Sequence, residues 1–414
     1  MSISDLLTET SHRTHFPGDL SAPDPLPEDS IQAAVNLMND GRLFRYGEDR
    51  GSLPEAALLE EEFAAYLGRK FCVGVNSGGC ALFIALRAAG VQPGDKVLTN
   101  AFTLAPVPGA IAHAGGVPVL VDITERTVID LDDLTLKAAE SDAKFLMLSY
   151  MRGHIPDMEK VMAVCSEFDI AVIEDCAHTM GAGWNGKLTG TFGGVACFST
   201  QTFKHINSGE GGLLVTDDED IAARAILLSG SYMLYAQHRA RPALDVFDRH
   251  RFDMPNCSMR MSSLVAAVLR PQLRQLTQRN DEWRQIYAWL ANDLVAVPHI
   301  RLPVRPEAEE FVPSSLQFMF EGISEAQIKH FLQEADTHGV HVKWFGNEQP
   351  IGFTSRHDHW RYIDAVGHVP IADAVLKSLC DIRLPLGLSQ ADCATIARVL
   401  AEAMASAIML DDKK

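Results

Sequence analysis

Three short runs, each placed where an apolar stretch ends, carry residue types that could do chemistry together. Asn76-Ser77-Gly78-Gly79-Cys80-Ala81-Leu82 is a turn of small residues between an apolar run and an amphipathic one. A serine there can cap a helix, glycines let backbone approach a ligand closely, and free N–H groups in a helix's first turn attract an anion. Gly and Ser also mark ordinary turns, so alone this run fits a phosphate cradle and a plain turn equally well. The second run, Ile170-Ala171-Val172-Ile173-Glu174-Asp175-Cys176-Ala177-His178, ends an apolar strand in two acids. At least one carboxylate then stands at the mouth of the sheet, although acids at strand ends also serve as caps. The third is Phe198-Ser199-Thr200-Gln201-Thr202-Phe203-Lys204-His205-Ile206-Asn207-Ser208-Gly209-Glu210-Gly211-Gly212, a lysine after a buried strand, trailed by a Gly-rich turn. Lysine becomes a nucleophile where burial or a neighbouring charge lowers its pKa; most lysines are simply surface charges.

Together the runs are far more specific than any one of them. An anion cradle, a carboxylate and a primary amine are what pyridoxal 5′-phosphate requires: a phosphate site, a partner for the ring nitrogen and a Schiff-base amine. The carboxylate keeps the pyridine nitrogen protonated, so that the ring can accept electrons from the bond being broken.

In order and spacing the runs resemble the DegT/StrS family of sugar aminotransferases, within the fold type I pyridoxal phosphate enzymes. The family pattern S-G-T-x-A-L, E-D-x-A-x-x-x-G and F-S-x-x-x-x-K-x-x-x-x-G-E-G-G has its counterparts in SGGCAL (77–82), EDCAHTMG (174–181) and FSTQTFKHINSGEGG (198–212), apart from one threonine. Weaker resemblance runs from LFRYG (43–47) through GHIPDM (153–158) to RMS (260–262) and IRLPLGLS (382–389), nearly the whole chain. The resemblance implies that Lys204 forms the Schiff base and then shuttles a proton as general base and acid. It implies Asp175 against the pyridine nitrogen, His178 beside the ring near its hydroxyl, and Ser77, Gly78, Gly79 and Ser199 at the phosphate. It further implies a homodimer with shared active sites, an amino acid donor such as glutamate or glutamine, and a keto-sugar, cyclitol or related carbonyl acceptor.

The chain departs from the pattern at three places. Gly79 replaces the threonine, which removes a hydroxyl and keeps the backbone donor. Leu104 stands where an aromatic is expected on the ring, so either Leu104 walls the ring or Phe102 takes over with a shifted loop. Ser258 stands where an asparagine reaches the partner subunit's phosphate, with Asn256 nearby. Some relatives are dehydratases with histidine in place of the lysine; here Lys204 holds that position and His205 follows it, which favours transfer. A non-catalytic regulatory protein on the same fold is a third reading, disfavoured by the intact Lys204, Asp175 and phosphate-site residues.

Candidates for the substrate side are Arg45 and Tyr46 near the N-terminus, Arg152 and His154 after an apolar strand, and Trp344, Arg356, His357 and Trp360 further on. Arginine suits a carboxylate or phosphate, and tryptophan suits a sugar face or apolar group. Each also has a plainer reading, since a tryptophan is more often core or lid packing.

A site of this kind is built beyond the carboxyl ends of strands in an open α/β sheet. The sequence supplies such strands at Phe71–Val75, Lys96–Leu98, Val117–Val121, Phe145–Ser149, Ile170–Ile173, Val195–Phe198 and Gly212–Val215. Helical spacing marks Ser30–Met38, Pro54–Leu67, Cys80–Ala89, Val107–Ala114 and Met158–Phe168. Alternation of this kind predicts a mostly parallel, seven-stranded-type sheet covered on both faces, with one antiparallel member where the last strands follow each other closely. From Ser262 to about Val295 one long helical stretch reads as a spine, with Pro271 expected to kink or restart it. The strand Leu316–Phe320 and helices over Glu325–His338 and Gln390–Ala405 predict a smaller α+β domain. The expected division is a polar, Pro-rich arm (1–29), a large cofactor domain (30–261), and the interdomain helix with the small domain (262–414).

The 414 residues carry a formal charge of −18, which argues against nucleic acid, because phosphate backbones are bound through clustered Lys and Arg. The eight cysteines form no C-x-x-C pair and mostly sit in apolar runs, the pattern of reduced core thiols. No basic segment precedes an apolar one at the N-terminus, and no apolar run reaches the ~18 residues of a membrane span, so the expected place is the cytoplasm.

Overall fold

Each apolar run named above forms a strand in the computed structural model, which describes residues 13–47, 53–349, 356–363 and 367–410. In chain order these are β1 (Phe71–Val75), β2 (Lys96–Asn100), β3 (Val117–Val121), β4 (Phe145–Ser149), β5 (Ala171–Asp175), the two-residue strands β6 (Gly183–Trp184) and β7 (Lys187–Leu188), then β8 (Val195–Ser199) and β9 (Gly212–Thr216). The seven-stranded sheet has the order β1-β9-β8-β5-β4-β2-β3, and β9 alone runs against its neighbours. Strands such as FCVGV and VACFS are buried at every position because helices cover both faces. The pleat sends Val172, Ala196 and Leu146 to one face, with the helices Glu55–Leu67 and Met158–Glu167. It sends Ile173, Cys197 and Met147 to the other, with Gly78–Ala89, Pro106–His113 and Glu219–Ile226.

The spine comprises two helices, Ser263–Arg274 and Leu276–Leu294. Pro271 lies inside the first, and the break falls at Gln275 rather than at the proline. A proline frees one carbonyl a turn earlier, and the buried Leu269, Gln272 and Leu273 hold the helix through it for one more turn.

Beyond the spine follow β10 (Ile300–Arg301), β11 (Glu309–Glu310), β12 (Ser315–Phe320), β13 (Lys343–Trp344) and β14 (Leu379–Arg383). An antiparallel sheet of order β10-β12-β14-β13 packs with helices Glu325–Thr337 and Gln390–Ile408, each opened by a serine capping box. One apolar cluster runs from the large sheet through Trp283, Ile286 and Leu290 to Phe318, Cys380 and Ile382. The two sheets are thereby held together, with the end of β14 beside the carboxyl ends of the large sheet. The N-terminal stretch read as an arm is, from residue 13, laid on this second sheet and its helices. Phe16 and Leu20 join the apolar cluster, and the Phe16 N–H donates to the His338 carbonyl at 2.9 Å. Its polar composition hid two residues that bury themselves against the end of a helix.

Candidate active site

The strand register decides what meets at the sheet's edge. Ser149 pairs with Asp175, Asp175 with Cys197, and Ser199 with Gly212, which also faces Val75 of β1. Because β9 is reversed, its first residue lies among the last residues of its neighbours. The pleat also separates the two acids. Glu174 turns to one face and accepts hydrogen bonds from the Tyr150 hydroxyl (2.6 Å) and the N–H groups of Gly190 (2.8 Å), Phe192 (2.8 Å) and Gly193 (2.7 Å). It ties down a turn. Asp175 turns to the other face, into a cavity of about 690 Å³ that Lys204, His178, Ser77, Gly78, Gly79 and Ser199 also line.

The small-residue turn opens the helix Gly78–Ala89, with the Ser77 hydroxyl accepting from the Cys80 N–H at 3.1 Å. Gly78 and Gly79 occupy the first turn, whose N–H groups have no partner within the helix. A Cβ on Gly78 would lie 2.8 Å from the Ser199 Cβ, and one on Gly212 would lie 2.2 Å from the Ser77 carbonyl oxygen. Those two glycines let the turn press against β8 and β9. Gly79 is different, because among the described residues a Cβ there would meet nothing closer than the Ser77 Oγ at 4.0 Å.

Asp175 accepts from the Ser149 hydroxyl at 2.8 Å and from the Ala177 N–H at 3.1 Å. Burial pushes its carboxyl above the ordinary value, against the pull of those hydrogen bonds and of Lys204. Enclosure draws the Lys204 amine down to about 7, and the nearby charge of Arg152 adds to this while Asp175 opposes it. Burial first, then the charges of Lys204 and Arg152, hold His178 well below its usual range, so the ring is neutral. Its Nδ1 accepts from the Arg152 N–H at 2.9 Å, which leaves the proton on Nε2 as a donor.

Of the other residues singled out in the sequence, Leu104 and Arg152 line this cavity. Phe102 does not: it is fully buried and stands edge-on to Phe345 at 5.1 Å, so of the two residues weighed for the ring it is Leu104 that faces the cavity. Arg45 and Tyr46 line a separate cavity of about 420 Å³. There Arg45 pairs with Glu60 at 2.7 Å, and the Tyr46 hydroxyl meets His238 at 3.1 Å. His154 is buried behind the wall, its Nε2 2.9 Å from the Gln317 Oε1. Trp344 and Arg356 line an adjoining cavity of about 620 Å³, which shares Phe203, Asp381 and Arg383 with the first. The Trp344 indole donates to the Lys377 carbonyl at 2.9 Å, and Arg356 pairs with Asp358 at 2.5 Å. His357 meets Asp373 at 2.9 Å and Trp360 is buried, and neither lines the Lys204 cavity. Asn256 and Ser258 lie beside Gly230, and neither lines the Lys204 cavity. His205 turns away from it and stands edge-on to Trp283 at 5.2 Å.

Reading the sequence missed Ser149, which holds Asp175, and Asp381 and Arg383 at the shared cavity wall. The run IRLPLGLS marked the neighbourhood of Arg383, and only the crossing of β14 places it here.

A family model described as the DegT/DnrJ/EryC1/StrS aminotransferase family matches residues 27–401. The chain belongs to that family. This aminotransferase is 32% identical over 295 residues to the spore coat polysaccharide biosynthesis protein SpsC of Bacillus subtilis, covering 70% of this chain and 72% of the relative. It is 33% identical over 254 residues to a GDP-perosamine synthase of Caulobacter vibrioides, covering 60% and 65% of the two chains. Among solved structures, the aminotransferase TlmJ from Streptoalloteichus hindustanus superposes with a TM-score of 0.79 at 21% identity, over 93% of this chain and 98% of that one. The 3-amino-5-hydroxybenzoic acid synthase superposes with a TM-score of 0.80 at 23% identity, over 95% and 100%. The fold is that of the fold type I aminotransferases.

Proposed function

We propose that this aminotransferase uses pyridoxal 5′-phosphate to move an amino group from an amino acid donor, glutamate or glutamine, to a keto-sugar or related carbonyl acceptor. The observation that carries the reading is the meeting of Lys204, Asp175 and the Ser77–Gly79 turn around one cavity. When bound, the cofactor supplies an aldehyde for amine exchange and a ring that takes up electron density.

The residues present fit such a group. The cavity volume is in the range of small-molecule sites, roughly 300–1,000 Å³. Ser77, Gly78 and Gly79, with Ser199 packed against Gly78, would hold the phosphate at a helix N-terminus. Asp175, buried and pushed up, is suited to a protonated ring nitrogen, and the His178 Nε2–H to the ring hydroxyl. Leu104 would wall the ring. At about 7 the Lys204 amine can take and return a proton at neutral pH.

A homodimer in the cytoplasm completes the reading. Phe252 and Met233 are 84% and 71% exposed, large apolar side chains suited to a second copy; Asn256 and Ser258 follow Phe252 in the chain and lie beside Gly230, outside their own cavity. Free cysteines throughout suit a reducing compartment.

An absorbance spectrum tests the core claim. Protein purified with pyridoxal phosphate should show a visible band that Lys204→Ala lacks, and glutamate or glutamine should convert that band to the amine form of the cofactor. A band that survives the substitution would remove Lys204 from the reading. Loss of a sugar hydroxyl without amino transfer would overturn the assigned reaction.

A further inference from the structure

An enzyme of the proposed kind must admit two unlike molecules in turn: a donor that carries a carboxylate, then a polyhydroxylated acceptor. A cation fixed open in the cavity would suit the first and stand unmatched against the second. Arg152 is built differently. Its backbone is in the left-handed region (φ 56°, ψ 23°), where residues other than glycine are strained. The N–H donated to His178 holds it there, with the side chain against the Lys204 cavity.

Its guanidinium reaches the Asp381 carboxylate at 2.9 Å, while Nε is buried without a hydrogen-bond partner among the described residues. A guanidinium presents its donors as a planar fork suited to one carboxylate taken two-pronged, and here that fork is half used. Phe345 closes another side, its ring centroid 5.9 Å from the guanidinium carbon.

Asp381 does not depend on Arg152. It accepts from the Gln317 amide at 2.7 Å, and across the β13–β14 pair it stands opposite Lys343, whose amine feels its charge. If Arg152 turned away, Asp381 would keep the Gln317 hydrogen bond and the Lys343 amine opposite it.

We propose that Arg152 is the donor-specific contact: it leaves Asp381 to take the carboxylate of the amino acid donor and returns to Asp381 when the acceptor fills the cavity. Asp381, Gln317 and Lys343 form the resting place that makes the exchange possible. This rests on the aminotransferase reading above, and its test is chosen to fail separately from that reading.

The test titrates the cofactor-loaded enzyme with glutarate, a dicarboxylate without an amine to transfer, and reads binding by calorimetry. The wild-type enzyme should bind glutarate, and Arg152→Met should weaken it roughly 10- to 100-fold, the loss of a charge-assisted pair. Arg152→Lys, which keeps the charge without the fork, should fall between them. Asp381→Asn, which removes the competing carboxylate, should bind glutarate more tightly than wild type. Unfolding temperatures check that each variant is folded. A wild-type enzyme that binds no glutarate, an Arg152→Met protein within twofold of wild type, or weaker binding by Asp381→Asn would each overturn the proposal. An enzyme that binds glutarate through Arg152 and accepts no amino group from any donor would sink the transfer reading and leave Arg152 as a carboxylate contact without its donor role.

Discussion

Lys204 shows how little at the residue scale depends on residue type alone. The cavity walls draw its amine down to about 7, with Arg152 adding and Asp175 opposing, whereas an ordinary lysine titrates at about 10.4. A lysine is uncharged above its pKa, so the nucleophilic form dominates from mildly alkaline pH upward. Modification of the cofactor-free protein by pyridoxal phosphate, trapped with borohydride, should therefore rise with pH to a midpoint near 7; a midpoint near 10 would mean that the amine is not enclosed. The two glycines before the helix make a second contrast. Gly78→Ala sets a Cβ 2.8 Å from that of Ser199, a clash at the rigid part of a side chain, and should cost about 1–3 kcal/mol as an overpacked site. Gly79→Ala meets open space and should stabilise by about 0.4–1 kcal/mol through the unfolded chain. Thermal unfolding of the two variants measures the difference, and equal shifts would sink the argument.

At the scale of elements, periodicity revealed what is repeated and concealed what is short or distant. The strands of the large sheet and the helices over them were legible because each spans enough residues to show a pattern. Lys204, Asp175 and the glycine turn were legible because each ends or closely follows such a strand. The two-residue strands β6, β7, β10, β11 and β13 have no period to read. Asp381 and Arg383 reach the site only because β14 is laid beside β12. Phe102 and Leu104 were undecided because which of them faces the cavity depends on Phe345, an aromatic from a remote segment. Arg45 was visible as a cation, but not as the internal tie it makes to Glu60 and Gly74. Glu60, on the helix Glu55–Leu67, accepts from the Gly74 N–H of β1 at 2.6 Å and from Arg45 at 2.7 Å. Burial pushes Glu60 up, but Arg45 and His238 outweigh it and hold it at about 2. Because the folded value lies below the unfolded one of about 4.3, the stabilisation is fully present above that pH and is lost as pH falls towards 2. About 3 kcal/mol should disappear across that window at roughly 1.36 kcal/mol per unit. Urea unfolding at a series of pH values measures it, and Glu60→Gln should flatten the dependence while costing about 3–5 kcal/mol at pH 7 through the stranded Arg45.

For the whole molecule, charge and exposed apolar surface make opposing demands. A chain at −18 repels its own copies, so a homodimer needs apolar contact to outweigh that repulsion, and salt should strengthen it by screening. The exposed apolar side chains Phe44, Tyr232, Met233 and Phe252 are candidates for such contact. Tyr232 and Met233 follow the backbone at Leu228 and Ser229, to which Cys257 and Met259 donate hydrogen bonds of 2.9 and 2.8 Å. Asn256 and Ser258 are thus carried on the same surface and away from their own Lys204 cavity. If they serve the partner's cofactor, assembly and cofactor retention must fail together. The double substitution Met233→Asp, Phe252→Asp places two buried charges in the proposed interface, and sedimentation should show monomers where wild type is dimeric. Dialysis of the same variant should strip pyridoxal phosphate faster than from wild type, although neither substituted side chain lines the Lys204 cavity. A monomeric wild-type protein at micromolar concentration would end the dimer reading. A monomeric variant that retains cofactor as wild type does would restrict the second copy to a role outside the active site.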